Sequence, residues 1–151
     1  MSYEGLEAKE LIINDGNISI TSSDDGINTI DSSFIGSNMK NDESILTING
    51  GTLLAGGSSM MALLPSDTSK VNSLMIDASN DTQILDEEGN VVFTYSSEKG
   101  YENLVIASNK LETGKTYTII QGGIEVSTVT ITSLQTNLSA KQNNQFQQRP
   151  K

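Results

Sequence analysis

The sequence predicts an all-β chain. Coils of a parallel β-helix are expected over residues 1–65 and a small antiparallel β cap over 66–134. A Gln/Asn-rich tail, disordered or loosely packed, is expected over 135–151. Three observations lead there. Ser, Thr and Asn number 20, 14 and 14, and all three favour turns, caps and strand surfaces over helix interiors. A strand–turn–strand string recurs in the first part of the chain. Within it, side chains alternate with the two-residue period of a strand: Leu11 and Ile13 against Ile12, Ile18 and Ile20 against Ser19 and Thr21.

The string is Leu11-Ile12-Ile13-Asn14-Asp15-Gly16-Asn17-Ile18, and it returns as Leu46-Thr47-Ile48-Asn49-Gly50-Gly51-Thr52-Leu53. A second element returns at a shorter offset: Ser2-Tyr3-Glu4-Gly5-Leu6-Glu7 parallels Ser23-Asp24-Asp25-Gly26-Ile27-Asn28. The unit is therefore an acidic-Gly-apolar element, a short strand, an Asn-x-Gly turn and a second short strand. Gly16 and Gly51 supply the positive φ that such a turn needs. The shorter offset, from Ser2 to Ser23, is the basic period. The second unit carries an insertion around Ser32 to Glu43 whose Ser, Gly, Asn and Asp content reads as a loop. Strands this short are not stable as isolated hairpins. Stacking successive units buries their apolar faces, and stacked equivalent strands are a parallel β-helix. A third copy, Ser58-Ser59-Met60-Met61-Ala62, has lost the acids and the glycine. Met60, Met61, Leu63 and Leu64 are expected to be the last-coil core. Beyond Pro65 the pattern changes. Ser73–Asp77, Asn90–Tyr95, Asn103–Ala107, Thr116–Ile120 and Val126–Thr132 read as strands, with turns at 86–90 and 112–115. They do not copy the repeat, and a cap is what an open end coil requires.

Composition removes many functions. The chain has 151 residues, 35% hydrophobic and 5% aromatic, so its core is thin and aliphatic. It has no His, Cys or Trp. That excludes imidazole catalysis, His or thiolate metal sites, disulfides and the indole platforms that stack on sugars. A net charge of −10 disfavours nucleic acid as a partner and favours cations or cation-bridged polymers. No apolar run approaches the roughly 20 residues of a membrane span. No basic-then-apolar segment opens the chain, so an exported protein would carry its signal upstream. The chain opens inside a repeat, which leads us to expect further coils upstream or a partner chain covering the N-terminal end.

The segments Tyr3-Glu4-Gly5-Leu6-Glu7-Ala8, Ser23-Asp24-Asp25-Gly26-Ile27-Asn28, Leu46-Thr47-Ile48-Asn49-Gly50-Gly51-Thr52 and Thr113-Gly114-Lys115-Thr116-Tyr117-Thr118 together resemble a bacterial family. These are the secreted carbohydrate-binding domain-containing proteins, right-handed parallel β-helices with a pectate-lyase-like shape. The resemblance spans about residues 2–123 and looks like the C-terminal part of a longer member. It implies an extracellular or cell-surface protein that binds plant-type or other acidic polysaccharide, with calcium sites along the helix.

The residues themselves also point to calcium, which takes several oxygen ligands, some of them charged. Asp24, Asp25, Asn28 and Asp31 lie within eight positions, and Glu4 and Glu7 hold the matching places one period earlier. Stacking would bring Glu4 beside Asp25, and two adjacent carboxylates repel unless a cation or proton intervenes. The competing reading is a solvated acidic turn. Asp86-Glu87-Glu88 is read as a hairpin turn. Tyr3 and Phe34 are the candidate sugar-contacting aromatics. Tyr95 and Tyr101 are weighed as platforms too, and Tyr95 with Tyr117 is expected in or on the cap. Catalysis is not expected. A polygalacturonase-like hydrolase would need His and Arg partners for Asp24-Asp25. A calcium-dependent lyase would need a basic residue of lowered pKa, for which only Lys9 and Lys40 lie near. The function expected is non-catalytic, calcium-assisted polysaccharide binding. A structural or adhesion role through the open N-terminal coil is the alternative, and a lyase remnant comes last.

Overall fold

The computed structural model describes residues 5–23, 27–28, 45–58, 63–79 and 81–140. Its first six strands are β1 (Leu6–Glu7), β2 (Glu10–Ile13), β3 (Asn17–Thr21), β4 (Ile27–Asn28), β5 (Ile45–Ile48) and β6 (Thr52–Gly57). They pair in parallel, β1 with β4, β2 with β5 and β3 with β6. The registers reproduce the two offsets of the repeat. Leu6 lies opposite Ile27 at the shorter offset, whereas Leu11 lies opposite Leu46 and Asn17 opposite Thr52 at the longer one. The extra length of the second unit therefore enters between β4 and β5.

The turns stack as the strands do. Asn49 Nδ2 donates to Asn14 Oδ1 at 2.9 Å, and the Thr52 amide donates to the Gly16 carbonyl at 2.9 Å. Gly16 and Gly51 hold φ values of 104° and 77°. At Gly51 the fit is close enough that a Cβ would stand 2.1 Å from the Gly16 oxygen.

Among the described residues the far side of β5 is not covered by a third strand. The Leu46 and Ile48 amides donate instead to the hydroxyls of Ser66 and Ser69, at 3.1 and 3.0 Å. The Ser66 and Lys70 amides return bonds to the Leu46 and Ile48 carbonyls. Two serines and a turn thus seal a sheet edge that would otherwise leave buried amides unpaired.

The remaining strands are β7 (Asn72–Asp77), β8 (Thr82–Leu85), β9 (Val91–Tyr95), β10 (Asn103–Ser108), β11 (Thr116–Gln121), β12 (Ile124–Thr130) and β13 (Gln135–Asn137). A five-stranded mixed sheet runs β13-β7-β10-β6-β3, with β10 antiparallel to both neighbours. A four-stranded antiparallel sheet runs β12-β11-β8-β9. The five-stranded sheet has core on both faces. Leu104 and Ile106 of β10 face one cluster, with Ile84, Phe93, Tyr117 and Ile119 of the four-stranded sheet. Val105 and Ala107 face the other, with Ile13, Leu46 and Ile48 of the coils.

The chain is all-β. A right-handed parallel β-helix is not what these sheets establish, because among the described residues the parallel pairs β1–β4, β2–β5, β3–β6 and β7–β13 are each only two strands deep and the larger sheets are mixed or antiparallel. The physical reason is β10. Val105 pairs with Ala55 of β6 on one side and Met75 of β7 on the other. Strands separated by about one period are thus held apart by an antiparallel insert. The five-stranded sheet takes strands from both sides of residue 65, and Gln135–Asn137, which composition placed in the tail, forms β13.

Candidate functional site

Of the expected metal ligands, Glu7 is exposed on β1 and stands opposite Asn28 of β4. Glu4, Asp24, Asp25 and Asp31 lie outside the described residues, as do Tyr3 and Phe34. Among the described residues no three acids gather in a metal-holding group. Ser22 is 1% exposed, and its hydroxyl has no hydrogen-bond partner among the described residues.

The other aromatic candidates are core. Tyr95 and Tyr101 are 3% and 6% exposed and pack edge-to-face with centroids 5.0 Å apart. Neither ring face is open to a sugar. Asp86 is a turn former. Its Oδ1 accepts the amides of Asn90 and Glu88 at 2.8 and 3.0 Å, and these bonds, chiefly that from Asn90, hold its carboxyl below the usual carboxylate value.

The structure brings together a different set of side chains. β3 is one edge of the five-stranded sheet and β9 is one edge of the four-stranded sheet. Tyr95, at the end of β9, pins these edges together by donating from its hydroxyl to the Ile20 carbonyl at 2.9 Å and by bonding the Thr21 hydroxyl. Gly56 leaves room for that ring, since a Cβ there would lie 2.3 Å from the Tyr95 oxygen. Towards the other end of the two strands, the edges leave a groove of about 250 Å³. Asn17, Ser19, Thr52 and Thr94 line it with amide and hydroxyl groups, and Leu54 and Val92 supply its apolar surface. Val92 reaches it because of a β-bulge. Ile84 pairs with Phe93 and Leu85 with Val91, so Val92 is the extra residue.

Lys110 also lines this groove, and it is the one charged residue to do so among the described residues. Its backbone is held firmly. Its amide donates to Ser108 Oγ at 3.1 Å, and its carbonyl accepts from the Tyr117 hydroxyl at 2.8 Å. Ser108 Oγ lies 2.8 Å from Thr52 Oγ1, which ties the start of this loop to β6. A second cleft, of about 400 Å³, shares Lys110 and Val92 with the groove. Asp86, Glu87, Glu88 and Glu112 line that cleft, with Lys115 as its other cation. Lys115 lies 4.0 Å from Glu87, whose second oxygen accepts the Thr116 amide at 3.0 Å.

Sequence reasoning missed this groove. Outward-facing polar residues on β3 and β6 follow from alternation, but nothing local to Asn17 signals a neighbour on a strand as distant in the chain as β9. Chemically the groove presents hydrogen-bonding groups beside aliphatic surface and one ammonium, which suits a polyhydroxylated ligand. Comparison with protein-family models, with curated proteins and with solved structures finds no match to this chain.

Proposed function

We propose that this chain is a non-catalytic carbohydrate-binding β domain. The observation that carries the reading is the groove between β3 and β9, where an amide and three hydroxyls surround apolar surface at the mouth of two sheets. Hydroxyls of a sugar pair with the polar rim, and its C–H surface lies on Leu54 and Val92. We read β1–β6 as two coils of a right-handed parallel β-helix of the secreted carbohydrate-binding kind. Extracellular or cell-surface residence and a cell-wall polysaccharide ligand follow from that resemblance.

Calcium fits the acidic element of this reading. Glu7 is in register with Asn28, and the buried Ser22 hydroxyl, which has no partner among the described residues, precedes Asp24 by two positions. Glu4, Glu7, Asp24, Asp25, Asn28 and Asp31 would hold the ion, which would bridge carboxylates of protein and polymer.

The test is calorimetric titration of polygalacturonate and of a neutral cell-wall glucan, each with calcium and with a chelator. Saturable heat with either polymer supports carbohydrate binding, and loss of the polygalacturonate signal in chelator supports the calcium bridge. No heat in any arm refutes the reading.

A specific observation favours a second role in assembly. Among the described residues β1, β2 and β3 are each paired on one side only, and Leu6, Leu11, Ile18 and Ile20 of these strands are half-buried around the same core. Another coil, from the same protein or a partner chain, would complete that end.

A further inference from the structure

We infer that the groove between β3 and β9 selects an acidic sugar unit flanked by neutral ones, with Lys110 as the residue that reads the acid. The inference rests on the carbohydrate-binding reading and names the ligand class for that site.

The argument is electrostatic and positional. Lys110 lines the groove together with the uncharged Asn17, Ser19, Thr52 and Thr94, and it also lines the neighbouring acidic cleft, so it stands where the two meet. Its ammonium makes no ion pair among the described residues. A carboxylate entering there gains a charge-assisted hydrogen bond, and neighbouring sugar hydroxyls meet the amide and hydroxyls. The loop bonds from Ser108 and Tyr117 set the Lys110 backbone before any ligand arrives, so less order is imposed on binding.

The cleft that shares Lys110 with the groove has the opposite character. Past Lys110 a ligand meets Asp86, Glu87, Glu88 and Glu112, against which Lys115 is the other cation and already lies beside Glu87. A polymer with a carboxylate on every unit would place its next charges against that wall. Like charges at such range repel, and the repulsion is weakened by salt. A polymer whose acidic units alternate with neutral ones satisfies both halves of the groove. This selection needs no calcium, which separates it from bridging at the acidic turn.

The test uses the full chain in chelator and three oligosaccharides of equal length. One alternates uronate with N-acetylhexosamine, one is an oligogalacturonate, and one is a neutral β-glucan. The alternating ligand should bind about fivefold more tightly than either other, the scale of one favourable exposed charge pair. Lys110→Gln should remove that advantage and Lys110→Arg should keep it. Among the described residues the Lys110 side chain makes no hydrogen bond, so both variants should unfold at the same urea concentration as the parent. Neutralising Glu88 and Glu112 together to Gln should bring oligogalacturonate to within about twofold of the alternating ligand. All these differences should shrink near 1 M salt, where the screening length is about 3 Å. Equal binding of all three ligands, unaltered by Lys110→Gln, overturns the selection while leaving carbohydrate binding standing. Tightest binding of oligogalacturonate in chelator overturns it as well. Absence of binding to any oligosaccharide removes the carbohydrate reading itself.

Discussion

Gly16 and Gly51 occupy the same place in two stacked turns, and replacing each by Ala separates strain from stacking. Both hold a positive φ, 104° and 77°, that an L residue adopts only at a cost of about 1–2 kcal/mol. Part of this is returned because Ala has less freedom in the unfolded chain, about 0.4–1 kcal/mol. Gly16→Ala should therefore cost about 1 kcal/mol, since a Cβ there meets nothing within 4 Å. At Gly51 the Cβ would stand 2.1 Å from the Gly16 oxygen, 2.7 Å from its nitrogen and 3.0 Å from the Asp15 carbonyl carbon. These are backbone atoms and cannot swing aside. The two turns must part, which strains packing by about 1–3 kcal/mol. It also stretches the 2.9 Å bond from the Thr52 amide to the Gly16 carbonyl, worth about 1 kcal/mol. Gly51→Ala should thus cost about 3–5 kcal/mol, roughly 2 kcal/mol or more beyond Gly16→Ala. In a chain of this size that is a difference in Tm of about 4–8 °C. Urea unfolding of both variants measures it directly. Equal losses in the two variants would refute the stacking of these turns.

Three further outcomes are expected. Ser69→Ala should destabilise by about 1–3 kcal/mol, because it strips the partner from the Ile48 amide of a fully buried residue, whereas Ser69→Thr should retain most of the stability; urea midpoints decide between them. Burial raises the pKa of Tyr95 and Tyr101 above the ordinary tyrosine value, so their contribution is complete below about pH 10 and is lost as pH rises beyond it. Tyrosinate absorbance on alkaline titration should accordingly show two groups titrating late, together with unfolding. Lys115→Met should change stability by less than about 0.5 kcal/mol, since its pair with Glu87 is long and half exposed, and a larger loss in thermal melts would mean that the pair is structural.

What could be read in advance depended on how far apart the determinants lie. The registers of β1 with β4 and β2 with β5 were visible as the two offsets of the repeat, because stacked units bury equivalent residues. β7, β9, β10 and β11 were visible to within a residue or so as alternating runs between turn signals. β8 was not, since Thr82–Leu85 is four residues long and abuts Asp86-Glu87-Glu88, which reads as turn. Its strand character comes from pairing with β9 and β11, a tertiary effect. β13 was hidden by polar composition and is held by pairing with β7 and by the Leu138 amide bond to Met75. Tyr95 and Tyr101 remained open as sugar platforms because a tyrosine on an edge strand can face either way. The bond to the Ile20 carbonyl turns Tyr95 inward. The groove was invisible because it belongs to two sheet edges that meet only in the fold.

The same strand ends the repeat and builds the groove. β10 is buried along its whole length, which commits it to the interior between two cores. Inserted antiparallel beside β6, it occupies the edge that a further parallel strand would have taken, and parallel growth stops there. The antiparallel direction also carries the chain back along β6, so that Ser108 arrives opposite Thr52 and the chain leaves the sheet beside it. The next residues are Asn109 and Lys110. A parallel strand in that position would begin at Thr52 and end far from it, and no lysine would be delivered to the groove from this side. Ending the parallel β3–β6 pairing and supplying the groove's cation are therefore one topological event. A sequence change that abolished the insertion of β10 would remove Lys110 from the groove even with every residue of β1–β6 intact.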